Sequence, residues 1–128
     1  MVIAVLQVYS CSTGHRVSDS EMAALGSGRT INEAQVTYAA HSKAGFACDL
    51  GLLGREGFID RALAEGRKDG FVFAIVDCKR QNDIVLGYTW VASPTEPGAM
   101  FFCGDETGVI RFSSRDATDC LRNGQPLR

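Results

Sequence analysis

A short segment near the start of the chain has residue types that could cleave a phosphate ester. Between an apolar stretch and a predicted helix, the segment reads Cys11-Ser12-Thr13-Gly14-His15-Arg16. In such a context backbone amides can cradle a phosphate while a thiolate attacks phosphorus. The chemistry needs a cysteine whose pKa is lowered by the amides and by an arginine. Cys11 is therefore the candidate nucleophile, with Arg16 as the phosphate ligand.

The spacing of this segment departs from the phosphatase signature. The signature has one residue more between its cysteine and its arginine than the four that separate Cys11 from Arg16. No general acid follows in a recognisable motif. We therefore prefer to interpret the segment as an irregular linker. A small Cys-dependent phosphatase-like enzyme that uses Cys11 and Arg16 is the alternative hypothesis.

The other polar candidates favour structural roles. His15 and His41 have no patterned partner, and lone histidines are usually surface or satisfied core residues. Asp105 and Glu106 are neighbours in a predicted hairpin turn, so their carboxylates point apart and suit solvated turn chemistry. We therefore predict that the chain has no catalytic residue, no cofactor and no metal site, and that it is not an enzyme.

Composition limits the function classes further. The chain has 128 residues, of which 45% are hydrophobic, and a net charge of -2, which fits one compact domain with no electrostatic footprint for nucleic acid. The apolar run at residues 1–9 is too short to span a bilayer as a helix, which takes about 20 residues. We expect neither nucleic acid nor a small-molecule substrate as a partner, and no membrane anchor in the chain as written.

The five cysteines leave the redox compartment open. They lie at positions 11, 48, 78, 103 and 120, without the paired spacing of a zinc site. An odd count allows two disulfides and one free thiol in an oxidising compartment, or five buried thiols in the cytosol.

Two capping-box motifs predict the start of the first helix. Ser18-x-x-Glu21 and Thr30-x-x-Glu33 both match the motif, in which a hydroxyl and a carboxylate satisfy free amides at a helix start. A helix is therefore expected within residues 19–43.

Glycines weaken the first half of that helix. Gly26 and Gly28 each cost about 1 kcal/mol relative to Ala, so the safer span is residues 30–43. Its buried stripe is predicted to contain Ile31, Ala34 and Tyr38. A second helix is expected at residues 58–65, with Gly66 as its C-terminal cap, after a glycine-punctuated connection.

The second half of the chain has the alternation and turn signals of strands. Four are expected, at residues 71–76, 86–90, 100–103 and 109–113, with Gly108 in a left-handed turn position. The expected core aromatics are Phe71, Phe73, Tyr88 and Trp90. Helices that precede consecutive strands indicate an α+β fold, with a helix packed on a four-stranded antiparallel meander.

The meander constrains the cysteine pairs. Cys78 and Cys103 would end two strands about 10 Å apart, too far for a disulfide. A Cys103–Cys120 bridge would pin the polar tail at residues 114–128 and contribute about 3 kcal/mol. Cys48 with Cys78 is the compatible second pair.

Several motifs, in a shared order, resemble the globular domain of type IV pilin-like and pseudopilin proteins. They span about residues 19–113 and comprise Ser27-Gly28-Arg29-Thr30-Ile31-Asn32-Glu33-Ala34-Gln35-Val36-Thr37-Tyr38, Gly45-Phe46, Leu50-Gly51-Leu52-Leu53-Gly54, Ile59-Asp60, Leu63-Ala64, Gly66, Lys68, Gly70-Phe71, Phe73, Tyr88, Pro94, Pro97-Gly98, Phe102, Asp105 and Thr107-Gly108-Val109-Ile110-Arg111. The resemblance implies a long helix on a four-stranded sheet in residues 19–128. It also implies a non-catalytic, extracytoplasmic subunit of a filament or secretion pseudopilus, with similar subunits or itself as partner.

Residues 1–18 form an atypical N-terminal arm by comparison with that family. Family members have a prepilin-peptidase site followed by an apolar anchor helix, and neither is seen here. Three explanations remain: a gene start that is misplaced downstream, a separately encoded anchor, or a diverged soluble form whose apolar residues 1–9 seek a partner such as a second copy. Location in the periplasm, cell surface or pilus is expected, or the cytoplasm if all cysteines are reduced.

Overall fold

The computed structural model describes residues 17–127, which form an α+β fold. The helices are α1 (Asp19–His41), α2 (Leu50–Arg55), α3 (Arg61–Ala64) and α4 (Ala117–Asn123). The strands are β1 (Arg67–Lys68), β2 (Phe71–Gln81), β3 (Ile84–Pro94), β4 (Phe101–Asp105), β5 (Ile110–Ser113) and β6 (Gln125–Pro126). Helices α1 to α3 and the short strand β1 precede the long strands, with helices before strands as expected up to β5, and α4 then lies between β5 and β6.

The strands form one antiparallel sheet in chain order, from β1 to β6. The four predicted strands are present as β2 to β5, but the prediction of a four-stranded sheet was wrong because two-residue strands add to both edges. The hairpin between β4 and β5 turns at Gly108, whose φ of 83° confirms the expected left-handed position. Strands β2 and β3 are each 11 residues long and dominate the sheet.

The first helix is longer at its start than the safer predicted span. α1 begins after a capping box in which the Ser18 hydroxyl accepts from the Glu21 amide and the Glu21 carboxylate accepts from the Ser18 amide. The second predicted box was wrong, because Thr30 lies inside α1 and its hydroxyl donates to the carbonyl of Gly26 at 3.0 Å. The helix ends at His41, two residues before the predicted end.

Gly28 explains why the helix continues through a residue that weakens helices. A Cβ atom at Gly28 would overlap the indole ring of Trp90, and one at Gly104 on β4 would meet the same ring. The indole is completely buried between them. The close approach of α1 to the sheet therefore requires glycine, and the packing gained offsets the cost of about 1 kcal/mol.

We call the side of the sheet that packs against α1 the inner face and the opposite side the outer face. The predicted core residues Ile31, Ala34, Phe71, Phe73, Tyr88 and Trp90 are buried, and Tyr38 is half-buried. The outer face holds a second, smaller cluster of Val91, Cys103 and Cys120. The sheet is thus covered on its inner face by α1 and on part of its outer face by α4.

The first long strand, β2, is covered on both faces only over part of its length. Phe71 and Phe73 are buried, and Ala74 packs against the outer-face cluster. Val76 is 50% exposed, because the main strand contacts of α4 are with β3, β4 and β5. The outer face therefore stays partly open.

Two short helices were missed or misplaced in the sequence analysis. The predicted helix at 58–65 is shortened to α3, which begins after Asp60, whose carboxylate accepts from the Leu63 amide at 2.8 Å. α2 lies within the stretch predicted to be a connection, and Asp49 caps it through the Leu52 amide at 2.7 Å. Helices this short depend on caps and tertiary packing, since isolated helices of this length are unstable.

The C-terminal tail is held by non-covalent contacts in addition to the Cys103–Cys120 pair. Asp116 caps α4 by accepting from the amide of Asp119 at 2.7 Å, and the sequence analysis predicted no element there. β6 then returns to pair with β5. The tail therefore covers the outer face as a helix and adds an edge strand.

Candidate docking surfaces

The candidate phosphate-binding residues Cys11 and Arg16, and also His15, lie outside the described residues. His41 lies in the last turn of α1, with its Nδ1 atom 2.8 Å from the carbonyl oxygen of Thr37. The interaction stays within the helix. The His41 ring also lies beside the Phe58 ring, with the centroids 6.3 Å apart, so His41 contributes to packing at the helix end.

Asp105 and Glu106 are both engaged in holding the sheet. Asp105 accepts from the Thr107 amide at 3.0 Å and so stabilises the β4–β5 turn. Glu106 accepts from Lys79 Nζ at 3.0 Å and from the amide of Tyr88 at 3.2 Å, and this carboxylate raises the pKa of Lys79. The two carboxylates have separate partners and do not act as a pair.

The four cysteines named as disulfide candidates form two pairs at disulfide distance. The Cα atoms of Cys48 and Cys78 are 5.9 Å apart, and those of Cys103 and Cys120 are 6.2 Å apart. Both separations fit a disulfide. The first pair joins the α1–α2 connection to β2, and the second attaches α4 to β4.

Asn32 links the middle of α1 to the sheet. Its Oδ1 atom accepts from the Tyr88 hydroxyl at 2.9 Å and from Trp90 Nε1 at 2.9 Å. Burial raises the pKa of the Tyr88 hydroxyl, with a smaller contribution from Asp105 and Glu106, so the phenol remains a hydrogen-bond donor. Tyr88 and Trp90 are thus core residues whose polar atoms are satisfied, as expected.

Two buried polar side chains hold the rest of α1. Glu21 accepts from the amide of Met100 at 2.6 Å in addition to its capping role. Gln35 donates to the carbonyl of Ala47 at 2.7 Å and accepts from the Ala47 amide at 2.8 Å. Sequence reasoning found Glu21 as a cap but not its contact with the sheet, and found no signal for Gln35. These contacts fix the orientation of α1.

A groove of about 340 Å³ lies where the start of α1 meets β4 and β5. Its lining is mainly apolar and includes Met22, Leu25, Met100 and Phe112. Met22 is 56% exposed. Exposed apolar surface of this kind is typical of contact surfaces.

A wider cavity of about 490 Å³ lies on the outer face beside α4. Val76 and Val109 supply apolar surface, while Asp77, Asp105 and Arg111 supply charge. No three His, Cys, Asp or Glu side chains between residues 17 and 127 are grouped as metal ligands would be. The cavity therefore has a mixed apolar and charged lining.

One side of α1 is exposed along its whole length, and we call it the outer α1 face. It consists of Met22, Gly26, Arg29, Glu33, Val36 and Ala40, all of which are exposed. Val36 has an exposed fraction of 65%. Since the opposite side of α1 is packed on the sheet, this face is presented outward on a fixed helix.

Comparison of the chain with protein-family models, with curated proteins and with solved structures gave no match. Within residues 17–127, no helix combines the length and the apolar character that crossing a bilayer requires. The functional interpretation therefore rests on the residues and on the fold.

Proposed function

We propose that this chain is a non-catalytic, extracytoplasmic structural or assembly subunit that resembles a type IV pilin or a type II secretion pseudopilin. The observation that carries the proposal is the single 23-residue helix α1, laid across an antiparallel sheet whose strands follow in chain order. The motifs between residues 19 and 113 occur in the order expected for that family. The partners are similar subunits or further copies of the chain.

The way in which α1 is held supports an assembly role. Glu21, Asn32 and Gln35 anchor the helix at its start, middle and second half through hydrogen bonds of 2.6 to 2.9 Å to other parts of the fold. A helix fixed in this way can present its outer side without rearrangement, which lowers the entropic cost of association. Rigid presentation of surface is what a structural subunit needs.

The cysteine pairs support location outside the cytoplasm. Disulfides persist in oxidising compartments and are rare in the cytosol. The Cys48–Cys78 and Cys103–Cys120 pairs are at disulfide distance, which leaves Cys11 as the remaining cysteine. Alkylation of the unfolded, unreduced protein, followed by mass measurement, should modify one thiol. Modification of all five would contradict an extracytoplasmic location.

Sedimentation velocity tests the assembly role. Purified protein should sediment faster as its concentration rises over about a hundredfold range, because association is governed by mass action. A monomer whose sedimentation does not change with concentration would contradict self-assembly. Hydrolysis of an aryl phosphate that disappears in Cys11→Ser would contradict the non-catalytic part of the proposal and favour the phosphatase-like alternative.

A further inference from the structure

The outer α1 face has the spacing of a coiled-coil seam. Its six residues are separated alternately by four and three positions, and they are Met22, Gly26, Arg29, Glu33, Val36 and Ala40. This is the repeat of 3.5 residues that keeps one stripe of a helix against a partner helix. The seam is polar at its centre, where Arg29 and Glu33 lie, and apolar or small towards both ends.

We propose that the outer α1 face docks against the same face of a second copy, with the two α1 helices antiparallel. The inference rests on the proposed assembly role and names its partner and contact. An axis of two-fold symmetry beside the midpoint between Arg29 and Glu33 brings Arg29 of each copy opposite Glu33 of the other. Two opposite-charge pairs then form at the centre, whereas a parallel pair with the helices in register would place like charges together.

The same symmetry matches large residues with small ones at the flanks. Val36 lies opposite Gly26 of the second copy, and Met22 lies opposite Ala40. A Cβ atom at Gly26 would meet nothing within 4 Å, so this position leaves open space for the Val36 side chain. Knobs fit into holes in this way along helix pairs, and the charge pairs set direction and register.

The seam runs along most of α1 and faces away from the sheet, except that Met22 also lines the groove beside β4 and β5. From Met22 to Ala40 the helix rises by about 27 Å at 1.5 Å per residue. The buried residues of α1, such as Ala24 and Ile31, belong to the opposite side. A two-fold contact of this kind closes on two copies, so a longer assembly would add a different surface.

Charge reversal tests the pairing without disturbing the core, because Arg29 and Glu33 are exposed. Arg29→Glu alone and Glu33→Arg alone should each weaken self-association at least tenfold, since each places like charges at the centre of the seam. An equimolar mixture should restore association as a heterodimer, because every central pair is then of opposite charge. The measurement is sedimentation velocity at low salt, and circular dichroism checks that each variant keeps its fold.

The single variants and their mixture distinguish failure of the seam proposal from failure of the proposed assembly role. If the wild type associates and both single variants associate equally well, the seam is overturned while the assembly role stands. If the variants are weakened and their mixture is not restored, the antiparallel register is overturned. A wild type that stays monomeric overturns the seam and self-assembly, whereas an assembly role with similar subunits stands.

Cysteine cross-linking gives an independent test of register. In a Cys11→Ser background, Gly26→Cys combined with Val36→Cys should form a covalent dimer on mild oxidation, because the two positions face each other across the seam. Val36→Cys alone is the matched control, since its two copies lie about 15 Å apart along the helix axis. Equal dimer yields from both variants, or no dimer from the double variant, would overturn the register.

Discussion

The inner and outer faces of the sheet are covered by helices of different length and are held by different chemistry. α1 covers the inner face with 23 residues, and the completely buried indole of Trp90 fills the space between Gly28 and Gly104. α4 covers part of the outer face with 7 residues and is attached by the Cys103–Cys120 pair. The inner face is stabilised mainly by side-chain fit, with the Cys48–Cys78 pair near the end of β2, whereas α4 on the outer face is held by the Cys103–Cys120 pair and by its cap.

This difference indicates which parts of the molecule are rigid. Side chains that interlock at close-packed density leave few alternative arrangements, so α1 and the inner face should unfold together. A short helix held by caps and one link can open locally without global unfolding. The predictions below test this contrast between the two faces.

The largest effect is expected at the inner face. Trp90→Ala should lower the free energy of unfolding by about 3–5 kcal/mol, because it removes a large buried side chain and leaves a cavity. Urea denaturation measures the loss. Val76→Ala on the outer face is the control, with an expected change within about 0.5 kcal/mol for an exposed position. Equal losses in the two variants would contradict the contrast between the faces.

Removal of the Cys103–Cys120 pair should have the next largest effect. The part of the molecule that loosens tests the contrast between the two faces. Cys103→Ala with Cys120→Ala should cost about 3 kcal/mol, as the chain-entropy estimate for a loop of this length gives. Amide hydrogen exchange should become much faster in α4 and β6. In α1 it should rise only as far as the lower global stability of the variant requires. Loss of protection in α1 before α4 would show that the two faces are not separable.

Loss of the polar anchor on α1 should cost somewhat less. Asn32→Ala leaves the Tyr88 hydroxyl and the Trp90 indole N–H without their shared acceptor, and we expect a loss of about 2 kcal/mol by urea denaturation. Tyr88→Phe removes one of the two donors and should cost about 1 kcal/mol. If the two losses were equal, the Trp90 contact would contribute nothing to stability.

The smallest effect is a pH dependence on the outer face. Hydrogen bonds from Ser113 and then Asn123 lower the pKa of Asp119 below its ordinary value of 3.8. A carboxylate whose pKa is lower in the folded than in the unfolded state stabilises the fold at any pH above its unfolded-state pKa. That stabilisation is lost as the pH falls below about 3.8. Asp119→Asn should therefore be less stable than wild type at pH 7, and the gap should narrow at pH 3. Asp83→Asn in the β2–β3 turn is the control. If the difference in stability between wild type and Asp119→Asn were the same at pH 7 and pH 3, the stabilising role of the Asp119 carboxylate would be contradicted.

The sequence predicted the inner face better than the outer face, for physical reasons. The spacing of Phe71 and Phe73 two residues apart predicts that both are buried on one face, because side chains alternate between the two faces of a strand. The span of α1 was underestimated because helix propensity penalises Gly28, whereas the gain comes from the distant Trp90 ring. α4 is short and only mildly apolar, so its local signal in the sequence is the Asp116 cap, which alone does not predict a helix.

The docking surfaces were the least predictable part. The exposure of Val36 can be inferred only once it is known that the opposite side of α1 packs on the sheet. Amphipathic spacing alone does not show which residues of a helix stay exposed. The cysteine pairs could be named because strand order limits which sulfur atoms can meet. The buried contacts of Gln35 with Ala47 join residues 12 positions apart, and no local pattern encodes them.

Methyl NMR over a concentration series tests most directly whether this chain is a docking subunit that uses α1. We predict that the methyl signals of Met22 and Val36 shift or broaden as concentration rises, whereas those of Val76 and Val109 on the outer face and of buried Ile31 stay constant. Signals that do not change with concentration at any of these methyl groups, or changes confined to Val76 and Val109, would contradict the account.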